Sequence, residues 1–219
     1  MKTDSEPRRL RADAARNRQA LIDAAQRLFS TRGLSVTLDD IAEEAGLNVA
    51  TAYRNFRNKH ELTGAFLAQR FEQVTVIAEE AAALEDPWKA LTQFLTRLLR
   101  LVAEDRGLHD VFDPSAYDQR ISEMETRIEP IVAGILMRGQ KAGVIRRDVQ
   151  TGDLGVIIQM LSAVAEIPNA DTQALVERYL RLILSGLRPG DLKLTGAPPS
   201  LAELRATKAI PPKSPATRH

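Results

Sequence analysis

Between Thr37 and Lys59 the chain crowds together short hydrogen-bond donors and cations: Asn48, Thr51, Tyr53, Arg54, Asn55 and Lys59. Amide, hydroxyl and cationic groups at this density suit the holding of anionic oxygens, those of phosphates above all. Acid–base and nucleophilic chemistry have no comparable cluster. The 219 residues include no cysteine, and the internal histidines, His60 and His109, fall in separate segments. There is no glycine-rich phosphate loop, no HExxH and no GxSxG. Asp39, Asp40, Glu43 and Glu44 are adjacent on one short helix and read as a solvated acidic face. Neither catalysis nor a cofactor nor a metal site is expected.

The elements that present these donors can be read residue by residue. Thr37 is placed to cap a helix, with Asp40 three residues on in the capping-box position. Ile41, Ala42 and Ala45 form the inner face of a helix of about two turns, and small Ala42 lets a second helix cross close by. Gly46 supplies the positive φ that a tight helix-to-helix turn demands. Leu47 plugs the corner and Asn48 caps the next helix. There Ala52 and Phe56, four apart, point inward, leaving Ala50, Thr51, Tyr53 and Arg54 outward or on the flanks. Two-turn helices are marginal in water, so packing on neighbours must hold the pair. It is either a hairpin of an all-α core or a helix-turn-helix whose second helix enters the major groove of DNA. Tyr53 and Arg54 are poor core residues, which favours the second reading.

The run from Thr37 to Leu62, ending Thr51-Ala-Tyr53-Arg-Asn-Phe56-Arg-Asn-Lys59-His-Glu-Leu62, resembles the DNA-binding domain of the tetracycline-repressor (TetR/AcrR) family. The resemblance extends back through Ala24-Ala-Gln-Arg-Leu-Phe29 and Gly33, and covers residues 16–66. It implies that Tyr53 and Lys59 contact phosphates, and that Asn48 to Thr51 with Arg54 supply phosphate and base contacts. The DNA-facing set is therefore Thr37, Asn48, Val49, Ala50, Thr51, Tyr53, Arg54, Asn55 and Lys59. Asn48 stands where serine is usual and preserves capping, whereas Asn55 replaces a frequent histidine or tyrosine. Val49 belongs to the buried edge by helical phase, or else touches a thymine methyl.

The rest of the chain reads as helix. Periodicity near 3.6 recurs and alternating β-branched runs are missing. Helices are expected from Asp13 to Thr31, Lys59 to Leu84, Asp86 to Asp105, Gln119 to Ala142 with a bend at Pro130, Thr151 to Glu166 and Asp171 to Leu187. A short helix with loops is expected over 106–117. Four parts follow: a flexible basic arm (1–12), the helix-turn-helix domain (13–60), a helical effector-binding and dimerisation domain (61–188) and a disordered tail (189–219). The tail holds six of the eleven prolines. Residues 1–60 carry eleven Lys/Arg against eight Asp/Glu, and residues 61–188 carry fourteen against nineteen. A basic head on an acidic body would meet a polyanion at the N-terminal end. Arg8, Arg9, Arg11, Arg16 and Arg18 are either a solvated charge run or an arm that tracks phosphate or minor groove.

The segments Gly143-Val-Ile-Arg-Arg-Asp148 and Tyr179 to Leu187 also resemble the family's approaches to its last two helices. Those helices typically pair with their copies in a four-helix dimer interface. Leu154, Ile157, Ile158 and Leu161, with Leu175, Tyr179, Leu182 and Ile183, form stripes broader than a thin helical layer needs. Candidate liners of a ligand pocket are Trp88, Phe94, Phe112, Tyr117, Met124, Ile128 and Met160, with His109 as polar anchor. The reading is all-α: a three-helix DNA-binding head on a helical body. Its expected partners are double-stranded DNA carrying a palindromic operator, a second copy of the chain and a small-molecule effector, with repression relieved by the effector. The rivals are a helical protein-interaction module, or a DNA-binding activator with no effector. With no signal peptide and no apolar run long enough to span a bilayer, a cytoplasmic protein without membrane contact is expected.

Overall fold

The computed structural model describes residues 5–104, 119–164, 167, 171–191, 193–200 and 203. Eight α-helices run through the described residues: α1 (Ser5–Arg32), α2 (Leu38–Glu44), α3 (Val49–Asn55), α4 (Lys59–Ala82), α5 (Pro87–Glu104), α6 (Gln119–Lys141), α7 (Thr151–Val164) and α8 (Thr172–Gly186). The chain is all-α among these residues, and no helix there is long and apolar enough to cross a membrane. The segment 106–117 lies outside them.

Two hydrophobic cores organise the helices. The head core gathers Leu21, Ala25, Leu28 and Phe29 of α1, Ile41 and Ala42 of α2, Ala52 and Phe56 around α3, and Leu62, Phe66 and Leu67 of α4. Phe29 and Phe66 meet edge to face, with centroids 5.6 Å apart, the arrangement that aromatic quadrupoles favour. The body core gathers Ile77 and Ala81 of α4, the Leu91, Phe94, Leu95 and Leu98 stripe of α5, Ile135 and Leu136 of α6, and Leu154, Leu161, Leu180 and Leu184 of the last two helices. Helix α4 thus belongs to both. Where one core gives way to the other lies buried Arg70, its guanidinium over the Phe66 ring at 5.4 Å and donating to Gln73 Oε1 at 2.7 Å.

Several helix ends form as local chemistry requires. Gly33, at φ 65°, closes α1. Asp86 Oδ1 accepts from the N–H groups of Trp88 and Lys89 at 2.9 and 3.1 Å, with Pro87 in the first position of α5. At the far end of α4, Arg138 of α6 donates to the carbonyls of Ala82 and Leu84 at 2.9 and 3.0 Å. A cation is favoured at that negative helix end. Helix α6 continues through Pro130 without interruption.

Two expectations need correction. Residues from Ser5 onward are helical, so α1 begins ahead of Asp13 and takes in part of the arm read as flexible. Ala12, Ala14, Ala15 and the arginines are strong helix formers. Pro7 falls in the first turn, where its missing N–H costs nothing. At the other end, Leu194 and Pro199 touch the body, within the tail expected to be disordered. The N–H of Leu194 donates to Asp148 Oδ2 at 2.9 Å. The carbonyl of Pro199 approaches Gly152 so closely that a Cβ there would overlap it.

Candidate nucleic-acid interface

The head presents α3 by pinning its surroundings. Thr37 and Asp40 form a reciprocal capping box: Asp40 N–H donates to Thr37 Oγ1 at 3.1 Å, and Thr37 N–H donates to Asp40 Oδ2 at 2.7 Å. The Thr37 hydroxyl also donates to Asp40 Oδ2, at 2.6 Å. These bonds to Thr37, the side-chain one foremost, hold the Asp40 carboxyl below its ordinary value. Helix α2 then ends at Gly46, φ 66°, and Leu47 N–H turns back to Ala42 O at 2.9 Å. Asn48 Oδ1 caps α3 by accepting from Ala50 N–H at 2.8 Å.

With its ends fixed, α3 buries Ala52 and sets Phe56 wholly inside. Val49 and Tyr53 stand out, 41% and 50% exposed, with Ala50 and Arg54 also exposed. Thr51 and Asn55 occupy the flanks, half-buried. The Arg54 guanidinium folds along its own helix, donating to Ala50 O at 3.2 Å and Thr51 Oγ1 at 2.9 Å. Asn55 Nδ2 donates to Thr51 O at 2.8 Å. The Asp39 carboxylate beside Tyr53 raises the phenol above its usual value, by its charge first and by a hydrogen bond second. Asp39 belongs to an acidic notch lined with Asp40, Glu43, Leu47, Asn48 and Val49. Half-buried Lys59 opens α4, one residue after Asn58, whose Oδ1 caps that helix through Glu61 N–H at 2.9 Å.

Seven residues of helix span about 10 Å, which fits lengthwise in a major groove about 12 Å wide. The exposed face offers a phenol, a guanidinium, a methyl and an isopropyl group. Groups of these kinds can meet phosphate oxygens, base edges and thymine methyls.

The residues proposed for the body are more dispersed. Phe94 is buried in the body core and Ile128 packs against it, half-buried. Trp88 lies under the guanidinium of Arg188, 4.0 Å from ring centroid to Cζ. Met160 is 51% exposed. His109, Phe112 and Tyr117 lie outside the described residues, as does the Met124 side chain. Of the residues assigned to a dimer face, Leu154, Ile157 and Leu161 are spent on the chain's own core. Ile158 and Ile183 are partly buried against that core, and Leu175 is half-buried. Tyr179 and Leu182 are exposed, Leu182 by 68%.

Three features of the head escape a reading by segments: the Asn58 cap, the Arg27–Glu44 ion pair at 2.7 Å, and the attachment of Arg18 to the end of α3. Asn58 had a signal, since Asn-x-x-Glu ahead of an apolar run is a capping pattern. The other two join residues far apart in sequence.

Two short helices crossing at a positive-φ glycine, the second exposed and the pair packed on longer helices, make this a helix-turn-helix protein with a helical body. The chain belongs to the TetR family of DNA-binding transcriptional regulators, which is not a family of enzymes. Residues 21–66 match the family described as bacterial regulatory proteins, tetR family. Residues 86–189 match the transcriptional regulator SbtR-like C-terminal domain. A TetR transcription regulatory protein from Mycobacterium vanbaalenii is 31% identical and superimposes with a TM-score of 0.59, over 82% of this chain and 99% of that one. The HTH-type transcriptional regulator SrpR of Pseudomonas putida is 35% identical over 85 residues, 38% of this chain and 40% of SrpR, so that match spans less than half of its length. The HTH-type transcriptional repressor BepR of Brucella suis is 27% identical over 150 residues, 62% of this chain and 72% of BepR.

Proposed function

We propose that the protein is a homodimeric repressor that holds a palindromic operator through α3 and is released by a small molecule bound in the body. The observation that carries the reading is the exposed face of α3, where Val49, Tyr53 and Arg54 project from a helix fixed at its start by Asn48 and underneath by Ala52 and Phe56. One such helix reads only a few base pairs. Two set roughly 34–36 Å apart read half-sites in successive major grooves, so the DNA reading requires a pair.

For the pairing surface, the exposed Tyr179 and Leu182 of α8 and Met160 of α7 are the apolar side chains left over once the core has taken Leu154, Ile157 and Leu161. Residues 13–60 act as the reading head and 61–188 as the body that senses and dimerises. Helix α4 enters both cores, so a ligand that tilts it moves the two reading heads out of register. By linkage, operator and effector then weaken each other's binding by the same factor. BepR is described as a repressor, which supports this sign of regulation.

The test is selection of bound duplexes from a random or genomic pool, with Tyr53→Ala/Arg54→Ala as the control. An enriched palindrome that the double variant does not select is the expected result. Equal enrichment by both proteins at moderate salt would overturn the reading.

A further inference from the structure

Helix α3 is seven residues long, and a helix so short needs partners for the carbonyls at its C-terminal end. Three of the carbonyls in its last turns have partners within the head. Thr51 O accepts from Asn55 Nδ2 at 2.8 Å. Ala52 O accepts from Phe56 N–H at 2.8 Å. At Phe56 the backbone leaves the helix, with φ −138° and ψ 122°. Asn55 O, the last carbonyl of α3, takes its donor from a different helix: Arg18 Nη1 of α1, at 3.0 Å. The same guanidinium lies over the Phe56 ring, 4.1 Å from its centroid. Phe56 is fully buried, so the cation rests on a ring packed into the head core. Charge, hydrogen bond and ring stacking converge on one point, the negative end of the helix that reads DNA.

Helix α1 is tied by side chains to each of the other head helices. Arg27 pairs with Glu44 of α2 at 2.7 Å, and Gln69 Nε2 of α4 donates to Gln19 Oε1 at 2.7 Å. Arg18 is the tie to α3. On the reading of α3 as the DNA-reading helix, we infer that Arg18 is a positioning residue. It fixes the C-terminal end of α3 against α1, and through it the angle at which Val49, Ala50, Tyr53 and Arg54 are offered to the groove. This role differs from both sequence readings of the basic N-terminal run, a solvated charge or a phosphate-tracking arm. The guanidinium serves the fold of the interface and not the phosphate.

Two substitutions separate these roles. Arg18→Lys keeps the charge but loses the planar fork and the stacking; Arg18→Met keeps length and apolar bulk without charge. Amide hydrogen exchange on the free full-length protein needs no operator. In both variants the N–H groups of Ala52 and Phe56, bonded to Asn48 O and Ala52 O, should exchange faster, by roughly tenfold for a lost charge-assisted bond. Amides of the body core should be unchanged. Unchanged exchange at Ala52 and Phe56 overturns the inference, whatever the protein does with DNA.

Operator binding, measured on the selected duplex across a salt series, gives the second readout. The expected result is a loss of specific affinity in both variants with parallel salt dependences, because no phosphate contact has been removed. Non-specific binding to a scrambled duplex should hold. If Arg18 touched phosphate, Arg18→Lys would bind nearly as wild type and Arg18→Met would reduce the salt slope by about one. That outcome refutes the positioning role. Should wild type select no duplex at all, the DNA reading fails on its own, and the exchange experiment still decides whether Arg18 fixes α3.

Discussion

Gly46 sits at φ +66°, and a Cβ built on it meets nothing within 4 Å. An alanine there therefore changes the backbone energy and leaves packing alone. An L-residue in the left-handed region costs about 1–2 kcal/mol. Alanine also narrows the freedom of the unfolded chain, which offsets about 0.4–1 kcal/mol of that. The net expectation for Gly46→Ala is a loss of about 1 kcal/mol, a drop in melting temperature of about 2–4 °C for a chain of this size. Asparagine tolerates the left-handed region better, so Gly46→Asn should lose less than alanine. Urea unfolding of the three proteins, read by circular dichroism, measures both differences. The folded alanine variant should keep its α2–α3 crossing and its DNA binding. An alanine variant as stable as wild type, or an asparagine variant no better than alanine, would falsify the assignment of the turn to backbone strain. A variant that kept its stability but lost DNA binding would mean that the turn had relaxed into another geometry.

Gly139→Ala should act through packing instead: its Cβ would lie 2.6 Å from Ile145 Cγ1 and closer still to Cδ1. Ile145 is fully buried in the body core, so relieving the overlap must disturb its neighbours, and a loss of about 1–3 kcal/mol is expected in the same unfolding experiment. Asp148 is held well below the ordinary aspartate value of 3.8, chiefly by Arg146 and next by Leu194 N–H. A carboxyl depressed in the folded state adds stability that is complete above its unfolded value and is lost as pH falls through the folded one. The melting-temperature gap between wild type and Asp148→Asn should thus be constant at neutral pH and close below pH 3.8; a gap independent of pH down to strong acid would contradict it. Gly152→Ala should push the Pro199 carbonyl off the body, raising proteolytic cleavage within 193–200 while the body stays folded, and an unchanged cleavage rate would show that contact to be incidental. Asp39 puts a negative charge beside Tyr53, so on the proposal that Tyr53 faces phosphate, Asp39→Asn should tighten binding to scrambled and selected duplexes alike; weaker binding would mean that Asp39 is needed to orient the phenol.

What could be read along the chain was whatever a few neighbouring residues decide. The Thr37–Asp40 capping box, the positive φ of Gly46, the Asn48 cap and the Asp86-Pro87 helix start all depend on hydrogen bonds or dihedrals spanning at most four residues. Their residue types name them without knowledge of the fold. The inward face of α3 was legible for the same reason, since Ala52 and Phe56 are one helical turn apart. The start of α1 lies ahead of the expected Asp13, where Arg8, Arg9, Arg11 and Ala12 are residue types that favour helix.

Other features depend on which helices come to lie together. Arg18 reaches Asn55 O across 37 residues, and Arg138 reaches Leu84 O across 54. Arg188 stacks on Trp88, and Leu194 finds Asp148 across 46 residues. An arginine in sequence is only a long cation that some acceptor will satisfy. The stripes of α7 and α8 show the same limit: periodicity marked them as apolar, but only packing divided Leu154, Ile157 and Leu161, taken by the core, from Tyr179 and Leu182, left outside. Local sequence therefore determined that a short, capped, donor-rich helix would exist. The tertiary structure decided what holds its far end and which apolar side chains remain free, because both depend on distances between segments that the order of residues does not contain.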